Sequence, residues 1–332
     1  MTTIGIALLG VGTIGSAVWR TIVEERESLA QRTGFRLEVR WGLARHRERV
    51  VGVGLPAQAA TTTIEPILED PSVDVVVEVM GGEEPAATYI KDALEAGKHV
   101  VTANKEAVSK HLAELVATAR RARRALLFEA SVGAGIPLMV SLRQLLTVNR
   151  IERIRGIVNG TTNFILTAMA EEGIPYQEAL REAQRLGYAE PDPTADVEGH
   201  DAAYKLSILA SLAASRHIRP EAVVRRGITT ITPDQILDAR ARGGAIKLIA
   251  HAEGSDGDWR LRVEPVFVPG SDLLAHVRRN LNAIELTGDR VGTIVLYGPG
   301  AGPTPTASAI VADVIDAVRF GDALLPSVAA AP

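Results

Sequence analysis

Two kinds of hydrophobic periodicity alternate along residues 1–130. The apolar run from Ile4 to Leu9 suits a strand, and after a glycine-rich turn helical spacing follows at Ile14, Ala17, Val18, Thr21 and Ile22. More strands are predicted, with helical stretches between them, at 37–44, 73–80, 99–103 and 125–130. Strands separated by helices pair in parallel, so we predict a doubly wound parallel sheet covered on both faces.

The pattern changes after residue 135. A strand is predicted at 151–158, and three helical stretches follow between 161 and 214. Strands return at 248–252, 261–268, 283–287 and 292–297. A last helix, capped by Thr304 with Pro305 at its first position, is expected to return to the first domain. We therefore predict an α/β domain of residues 1–134 and 304–332 and an α+β domain of residues 135–303.

Composition narrows the class of protein. Hydrophobic residues make up 46% of the 332, enough for a real core, and a formal net charge of −4 argues against a nucleic-acid or anionic-membrane binder. No apolar run approaches the ~20 residues that span a bilayer. The start lacks the basic residues of a signal peptide, so we expect a cytoplasmic protein. The absence of cysteine excludes a thiol nucleophile and an aldehyde dehydrogenase that works through one.

The segment "GVGTIG" at residues 10–15 matches the glycine fingerprint of dinucleotide-binding folds. It lies between a predicted strand and a predicted helix, as that fingerprint requires. One glycine permits the tight turn, the second lets the backbone approach a pyrophosphate, and the third allows close packing of the helix. We predict a Rossmann-type domain whose cofactor contacts include Gly10, Gly12, Thr13, Ile14 and Gly15.

The end of the second predicted strand bears on the choice of cofactor. An NAD enzyme places an acid there against the ribose, whereas this chain reads Leu43-Ala44-Arg45-His46-Arg47. Arg45 and Arg47 are therefore predicted to hold the 2′-phosphate of NADP, with an exposed basic turn as the alternative.

Lys105 and Lys205 are candidate functional residues in a chain that has only six lysines. Lys105 follows a parallel strand at its carboxyl end, where open α/β sheets place their ligands. Lys205 closes the acid-rich stretch "LGYAEPDPTADVEGHDAAYKL" and lies one helical turn after Asp201, in a helix expected to start near Val197. Five carboxylates beside one lysine suit a ligand with an ammonium group; a surface salt bridge and a divalent-metal site are the alternatives.

Seven segments resemble the homoserine dehydrogenase family, in order and over nearly the whole chain: "GVGTIG", "VVEVMGG", "VVTANK", "EASVGAGIP", "NGTTNFIL", "LGYAEPDPTADVEGHDAAYKL" and "GPGAGPTPTASAIVAD". The resemblance implies interconversion of L-homoserine and L-aspartate 4-semialdehyde with NADP or NAD, in the route to threonine, isoleucine and methionine. It also implies that the second domain binds the amino-acid substrate and forms a homodimer.

The resemblance assigns roles to individual residues. Lys205 would be the acid–base lysine, Lys105 the second lysine between cofactor and substrate oxygen, and Glu190 the partner of the substrate ammonium. The same pocket would include Asp196, Asp201, Gly160 and Thr161, and Gly81 would contact the cofactor. A monovalent cation such as sodium would be held by main-chain oxygens of Glu129, Val132, Ala134 and Ile136.

Two expectations set limits on this interpretation. The chain stops soon after its last predicted helix, so we expect no C-terminal regulatory domain and no kinase segment. Two competing functions remain open, because a nucleotide-binding fold alone does not identify a substrate. One is a dinucleotide-binding sensor with a decayed site, and the other is a dehydrogenase that acts on another amino acid, such as aspartate.

Overall fold

The structure is a computed structural model that describes residues 1–255 and 258–329. Residues 330–332, the last three of the segment predicted to return to the first domain, lie outside the described residues. The chain divides into two compact units. Unit 1 comprises residues 1–135 and the described residues from 302 onward, and unit 2 comprises residues 136–301.

Unit 1 contains six parallel strands in the spatial order β3-β2-β1-β4-β5-β6, the arrangement of Rossmann folds. Its elements in chain order are β1 Thr2–Leu9, α1 Thr13–Glu24, α2 Arg26–Thr33, β2 Phe35–Leu43, α3 Arg47–Gly52, β3 Ala60–Thr61, α4 Glu65–Glu69, β4 Val75–Glu78, α5 Ala86–Glu95, β5 His99–Thr102, α6 Lys105–Ala122 and β6 Leu126–Leu127. The predicted doubly wound α/β fold is confirmed.

The core of unit 1 explains why its central strands are almost entirely apolar. Every residue of β1 from Ile4 onward is buried, as expected of a strand covered by helices on both faces. The last helix of the chain, which spans Pro303–Phe320, buries Ile310 and Val314 in the same core cluster as Val75 and Val77. Its N-cap is Gly302, so the predicted cap at Thr304 is wrong by two residues.

Unit 2 is built on a six-stranded mixed sheet in the order β12-β11-β7-β9-β10-β8. Its elements are α7 Leu138–Leu146, β7 Ile151–Ile157, α8 Gly160–Glu172, α9 Tyr176–Arg185, α10 Thr194–Val197, α11 His200–Ala213, β8 Val224–Arg225, α12 Pro233–Ala241, β9 Gly244–Ser255, β10 Asp258–Pro269, β11 Leu281–Gly288 and β12 Gly292–Pro299; the helix of unit 1 at Pro303–Phe320 is then α13. The predicted α+β class is confirmed.

Several details of unit 2 differ from the prediction, which did not include α7 or β8. The helix of Lys205 begins at His200, not near Val197, because Gly199 adopts a left-handed conformation (φ +79°) that separates α10 from α11. Helix α12 was not predicted from the sequence; its apolar positions are few, and a capping box at Thr232 and Gln235 marks its start instead. Among the described residues, no helix has the length and apolar character to cross a membrane.

Candidate functional site

The glycine-rich turn after β1 has the geometry that its glycines suggest. Gly10 has φ +97°, and a Cβ atom at Gly15 would lie 2.0 Å from the carbonyl oxygen of Gly10. A Cβ atom at Gly12 would meet no atom within 4 Å, so the turn is open at that point. Gly12 is the N-cap of α1 and provides no side-chain cap. The amide groups at the start of α1 therefore face an accessible surface, which is the usual place for a phosphate group.

The two arginines after β2 differ in their surroundings. Arg45 lies in the exposed segment between β2 and α3. Arg47 is the first residue of α3, and its Nη2 donates to the carbonyl oxygen of Ala57 at 3.1 Å. That contact anchors Arg47 beside the end of β2, and both arginines are exposed residues that an anionic ligand could reach.

Behind the turn that follows β4 lies a group of polar residues that the sequence analysis missed. Glu78 is fully buried, and its Oε2 accepts a hydrogen bond from the Thr102 hydroxyl at 2.6 Å. Burial raises the pKa of Glu78, whereas hydrogen bonds from Thr102 and from the Met80 amide oppose that rise. A single glutamate at the end of the apolar run "VDVVVEV" was the available signal.

Asn104 joins this group to the start of α6. Its Oδ1 caps the helix by accepting from the Ala107 amide at 3.0 Å, and its Nδ2 donates to the Gly82 carbonyl at 2.7 Å. Lys105 is the next residue and the first of α6. Gly81, which precedes Gly82, is exposed and has φ +80°. The structure thus brings the turn of Gly81 and Gly82 to the same end of the sheet as Lys105.

In unit 2 the structure forms a buried cluster around Lys205. Its Nζ donates to Asp201 Oδ2 and to the Val158 carbonyl oxygen, both at 2.8 Å. The two side chains are only 10% and 6% exposed, so this is not an ordinary surface salt bridge. An ammonium group has three N–H donors. Only two of those of Lys205 have hydrogen-bond acceptors among the described residues, which leaves one for a ligand.

Asn159 organises this cluster, although the sequence analysis did not single it out. Its Nδ2 donates to Asp196 Oδ1 at 2.7 Å and to Asp201 Oδ2 at 2.9 Å, while its Oδ1 caps α8 by accepting from the Thr162 amide. One amide group therefore holds two carboxylates side by side. Burial raises the pKa of Asp196, and the charge of Asp201 raises it further.

The five carboxylates of the acidic stretch do not form one cluster; only Asp196 and Asp201 converge. Asp192 accepts from Thr194, and Glu198 accepts from the Thr229 hydroxyl. Glu190 is exposed on the loop after α9. No group of three or more histidine, aspartate and glutamate side chains in the described part of the chain could hold a metal ion.

The predicted substrate positions at the start of α8 lie next to this loop. The Thr161 hydroxyl donates to the Tyr188 carbonyl at 2.7 Å, which ties α8 to the segment that carries Glu190. At Gly160 a Cβ atom would lie 2.7 Å from the Asn280 carbonyl oxygen. A larger residue would therefore push α8 away from the loop before β11.

The four residues predicted to hold a cation occupy a buried segment. Glu129 lies in a short 3₁₀ turn, and its amide donates to Asp313 Oδ2 of α13 at 2.9 Å. Val132 follows that turn, and Ala134 has the left-handed φ of +45°. Ile136 is the first residue of unit 2, and its carbonyl oxygen accepts from the Leu138 amide at 2.7 Å.

The strand order of unit 1 and the glycine-rich turn place the chain in the class of dinucleotide-binding α/β enzymes. Comparison with known proteins makes the assignment specific. Residues 137–315 match the family described as homoserine dehydrogenase, and residues 10–129 match the homoserine dehydrogenase NAD binding domain. The chain belongs to the homoserine dehydrogenase family of NAD(P)-dependent oxidoreductases, which confirms the resemblance seen in its motifs.

Individual relatives agree with this assignment. Homoserine dehydrogenase of Corynebacterium glutamicum is 45% identical over 323 residues, which cover 96% of this chain and 72% of the relative. The crystal structure of a homoserine dehydrogenase from Thiobacillus denitrificans superposes with a TM-score of 0.91 at 41% identity, covering 96% of this chain and 74% of that one. A hyperthermophilic archaeal homoserine dehydrogenase in complex with NADPH has a TM-score of 0.79 at 28% identity, covering 96% and 98%.

Proposed function

We propose that this enzyme interconverts L-homoserine and L-aspartate 4-semialdehyde through Lys205, Asp201 and Lys105. The observation that carries the proposal is the buried pair of Lys205 and Asp201, in which one N–H of the ammonium group has no protein acceptor among the described residues. A proton donor held in this way suits a reaction that protonates an alkoxide in one direction and deprotonates an alcohol in the other.

Each residue near Lys205 has a distinct task in this proposal. Asp201 and the Val158 carbonyl orient the ammonium group, so that its remaining N–H points to the reacting oxygen. Asn159 keeps Asp196 next to Asp201 and so shapes a negative surface for the substrate ammonium. Glu190, exposed on the neighbouring loop, adds the ion pair that recognises the amino acid. Gly160 and Thr161 line the same pocket at the start of α8.

The residues of unit 1 fit a nicotinamide dinucleotide. The open turn at Gly12 leaves the start of α1 accessible, and Gly10, Thr13 and Ile14 complete the surface for the pyrophosphate, while buried Gly15 lets α1 pack closely against the Gly10 carbonyl. Gly81 and Lys105 are assigned to the nicotinamide end. When bound, the cofactor accepts or supplies the hydride; Lys105 provides positive charge for the substrate oxygen.

We propose that NADP is preferred over NAD, because Arg45 and Arg47 stand where an NAD enzyme has an acid. The NADPH complex of the archaeal family member supports the same cofactor class. Replacing Arg45 by Ala should raise the KM for NADP by about tenfold, the effect of losing one charged contact of about 1.4 kcal/mol, while the KM for NAD stays the same. Equal effects on both cofactors would contradict the assignment of Arg45 to the 2′-phosphate.

A monovalent cation such as sodium is also part of the proposal. Carbonyl oxygens are hard ligands of the kind that hard cations prefer, and Ala134, with its left-handed backbone, lies among the four residues. The backbone oxygens of Glu129, Val132, Ala134 and Ile136 would hold it. We further propose a cytoplasmic homodimer in the route to threonine, isoleucine and methionine, as expected from the sequence.

A direct assay tests the function. Purified protein is mixed with L-homoserine and NADP, then NAD, and the absorbance of the reduced nicotinamide is followed. We expect activity with NADP, and a Lys205→Arg variant should lower kcat far more than KM, because arginine keeps the charge but cannot cycle a proton. Tight dinucleotide binding without turnover of homoserine would refute the function and favour a sensor or another amino-acid substrate.

A further inference from the structure

Glu78 is a buried ionisable group to which the proposed reaction gives no task. It ends β4, and the register of the sheet places it directly beside Thr102 at the end of β5. Both residues are 0% exposed. A buried carboxylate is costly unless its oxygens accept hydrogen bonds, so the partners of Glu78 indicate its purpose.

The direction of each hydrogen bond follows from the donors present. Thr102 Oγ1 accepts from the Asn104 amide at 2.9 Å, so its hydroxyl proton is free to donate to Glu78 Oε2. The second oxygen, Oε1, accepts from the Met80 amide at 2.7 Å. Asn104 Nδ2 lies 3.4 Å from the same oxygen and donates more closely, at 2.7 Å, to Gly82. Glu78 therefore joins the turn after β4 to the start of α6.

We propose that Glu78, Thr102 and Asn104 form a buried clamp that fixes the turn of Gly81 and Gly82 relative to Lys105, and thereby sets the affinity for the dinucleotide. The inference rests on the cofactor assignment made above for Gly81 and Lys105. Both glycines have positive φ, +80° and +76°, and glycine can adopt many other conformations as well, so hydrogen bonds to this turn restrict it to one arrangement. The clamp residues act by positioning, since all three are buried.

A second link between the same turn and α6 provides a control. Glu83 pairs with Lys110 at 2.7 Å and with His111 at 2.9 Å, and its side chain is 37% exposed. Exposed ion pairs contribute little. If attachment of the turn to α6 in general were sufficient, then loss of the Glu83 pairs would affect the cofactor as much as loss of the clamp.

The test measures NADPH binding by fluorescence titration, together with melting temperature, for Thr102→Val, Thr102→Ser, Asn104→Ser and Glu83→Gln. Valine has the shape of threonine without the hydroxyl, whereas serine keeps the hydroxyl. Serine at position 104 retains a helix cap but loses the donor to Gly82. We expect Thr102→Val and Asn104→Ser to weaken NADPH binding by about tenfold, and Thr102→Ser and Glu83→Gln to stay within about twofold of the unchanged chain.

The outcomes separate a positioning role from a structural one. The clamp would be refuted if Thr102→Val and Asn104→Ser bind NADPH within about twofold of the unchanged chain while their melting temperatures fall. The Asn104→Ser variant decides the matter if Thr102→Val fails to fold. NADPH binding without turnover of homoserine would refute the proposed reaction but leave this measurement intact. Absence of NADPH binding by the unchanged chain would refute the clamp together with the cofactor assignment.

Discussion

Replacing Lys205 by Met should destabilise unit 2 and abolish turnover, and the two effects can be separated. Methionine has a similar length but no charge, so Asp201 would lose the hydrogen bond from Lys205, keep the one from Asn159, and lie beside Asp196 without the lysine charge. Removing one partner of a buried ion pair costs about 3–5 kcal/mol. In a domain of this size, each kcal/mol of lost unfolding free energy lowers the melting temperature by roughly 2–4 °C. A loss of about 3 kcal/mol therefore lowers the melting temperature by about 6–12 °C.

The control is the double variant Asp201→Asn with Lys205→Met. It removes the uncompensated buried charge while keeping the volume and a polar group beside Asn159, so we expect it to recover most of the lost stability. Turnover should not return, because the proton donor is still missing. The measurements are thermal unfolding followed by circular dichroism and NADP-dependent oxidation of L-homoserine at saturating substrate.

Two results would refute this reasoning. A Lys205→Met variant with the melting temperature of the unchanged chain would show that the pair does not carry the stability inferred from its burial. A double variant that regains both stability and turnover would show that Lys205 is a structural residue, and that the proton comes from another group.

Three further predictions concern other parts of the chain. Gly15→Ala should weaken NADPH binding by at least about tenfold, because the alanine Cβ would lie 2.0 Å from the Gly10 carbonyl oxygen. A binding titration measures this change, and an unchanged Kd would contradict the close packing of the turn. Burial lowers the pKa of Lys247 from 10.5 to about 8. Between pH 8 and pH 10.5 the unfolded chain therefore binds more protons than the folded chain, so the free energy of unfolding should rise with pH. Urea unfolding should show a smaller rise for Lys247→Met. Glu190→Gln should raise the KM for homoserine several-fold with little change in kcat; an unchanged KM would remove Glu190 from the site.

The strand, glycine turn and helix of unit 1 that are assigned to the cofactor could be predicted from the sequence, because each is marked by a pattern of neighbouring residues. The apolar run of β1, the spacing of Gly10, Gly12 and Gly15, and the helical repeat that follows them lie within about two dozen consecutive residues. Asp201 and Lys205 were paired for the same reason, since residues four apart on a helix lie on one face.

Residues that act across the sheet or between distant segments gave no such signal. Asn159 is 42 positions from Asp201, and Glu78 is 24 positions from Thr102. The motif around Asn159 marked a family, but nothing in its sequence indicated which carboxylates its amide would bind. The acidic stretch predicted a gathering of five carboxylates; the left-handed Gly199 and the separate partners of Asp192 and Glu198 divided them.

The sequence by itself therefore determined the fold class, the family, and the local chemistry of the glycine turn and the lysine–aspartate pair, since each depends on periodicity or on neighbours within one helical turn or loop. The tertiary structure decided which polar groups became buried partners. Asn159 between two carboxylates and Glu78 behind the Gly81–Gly82 turn exist as sites only because parallel strands and helix starts bring distant segments together. Once such groups are buried, the need to satisfy every donor and acceptor fixes their arrangement.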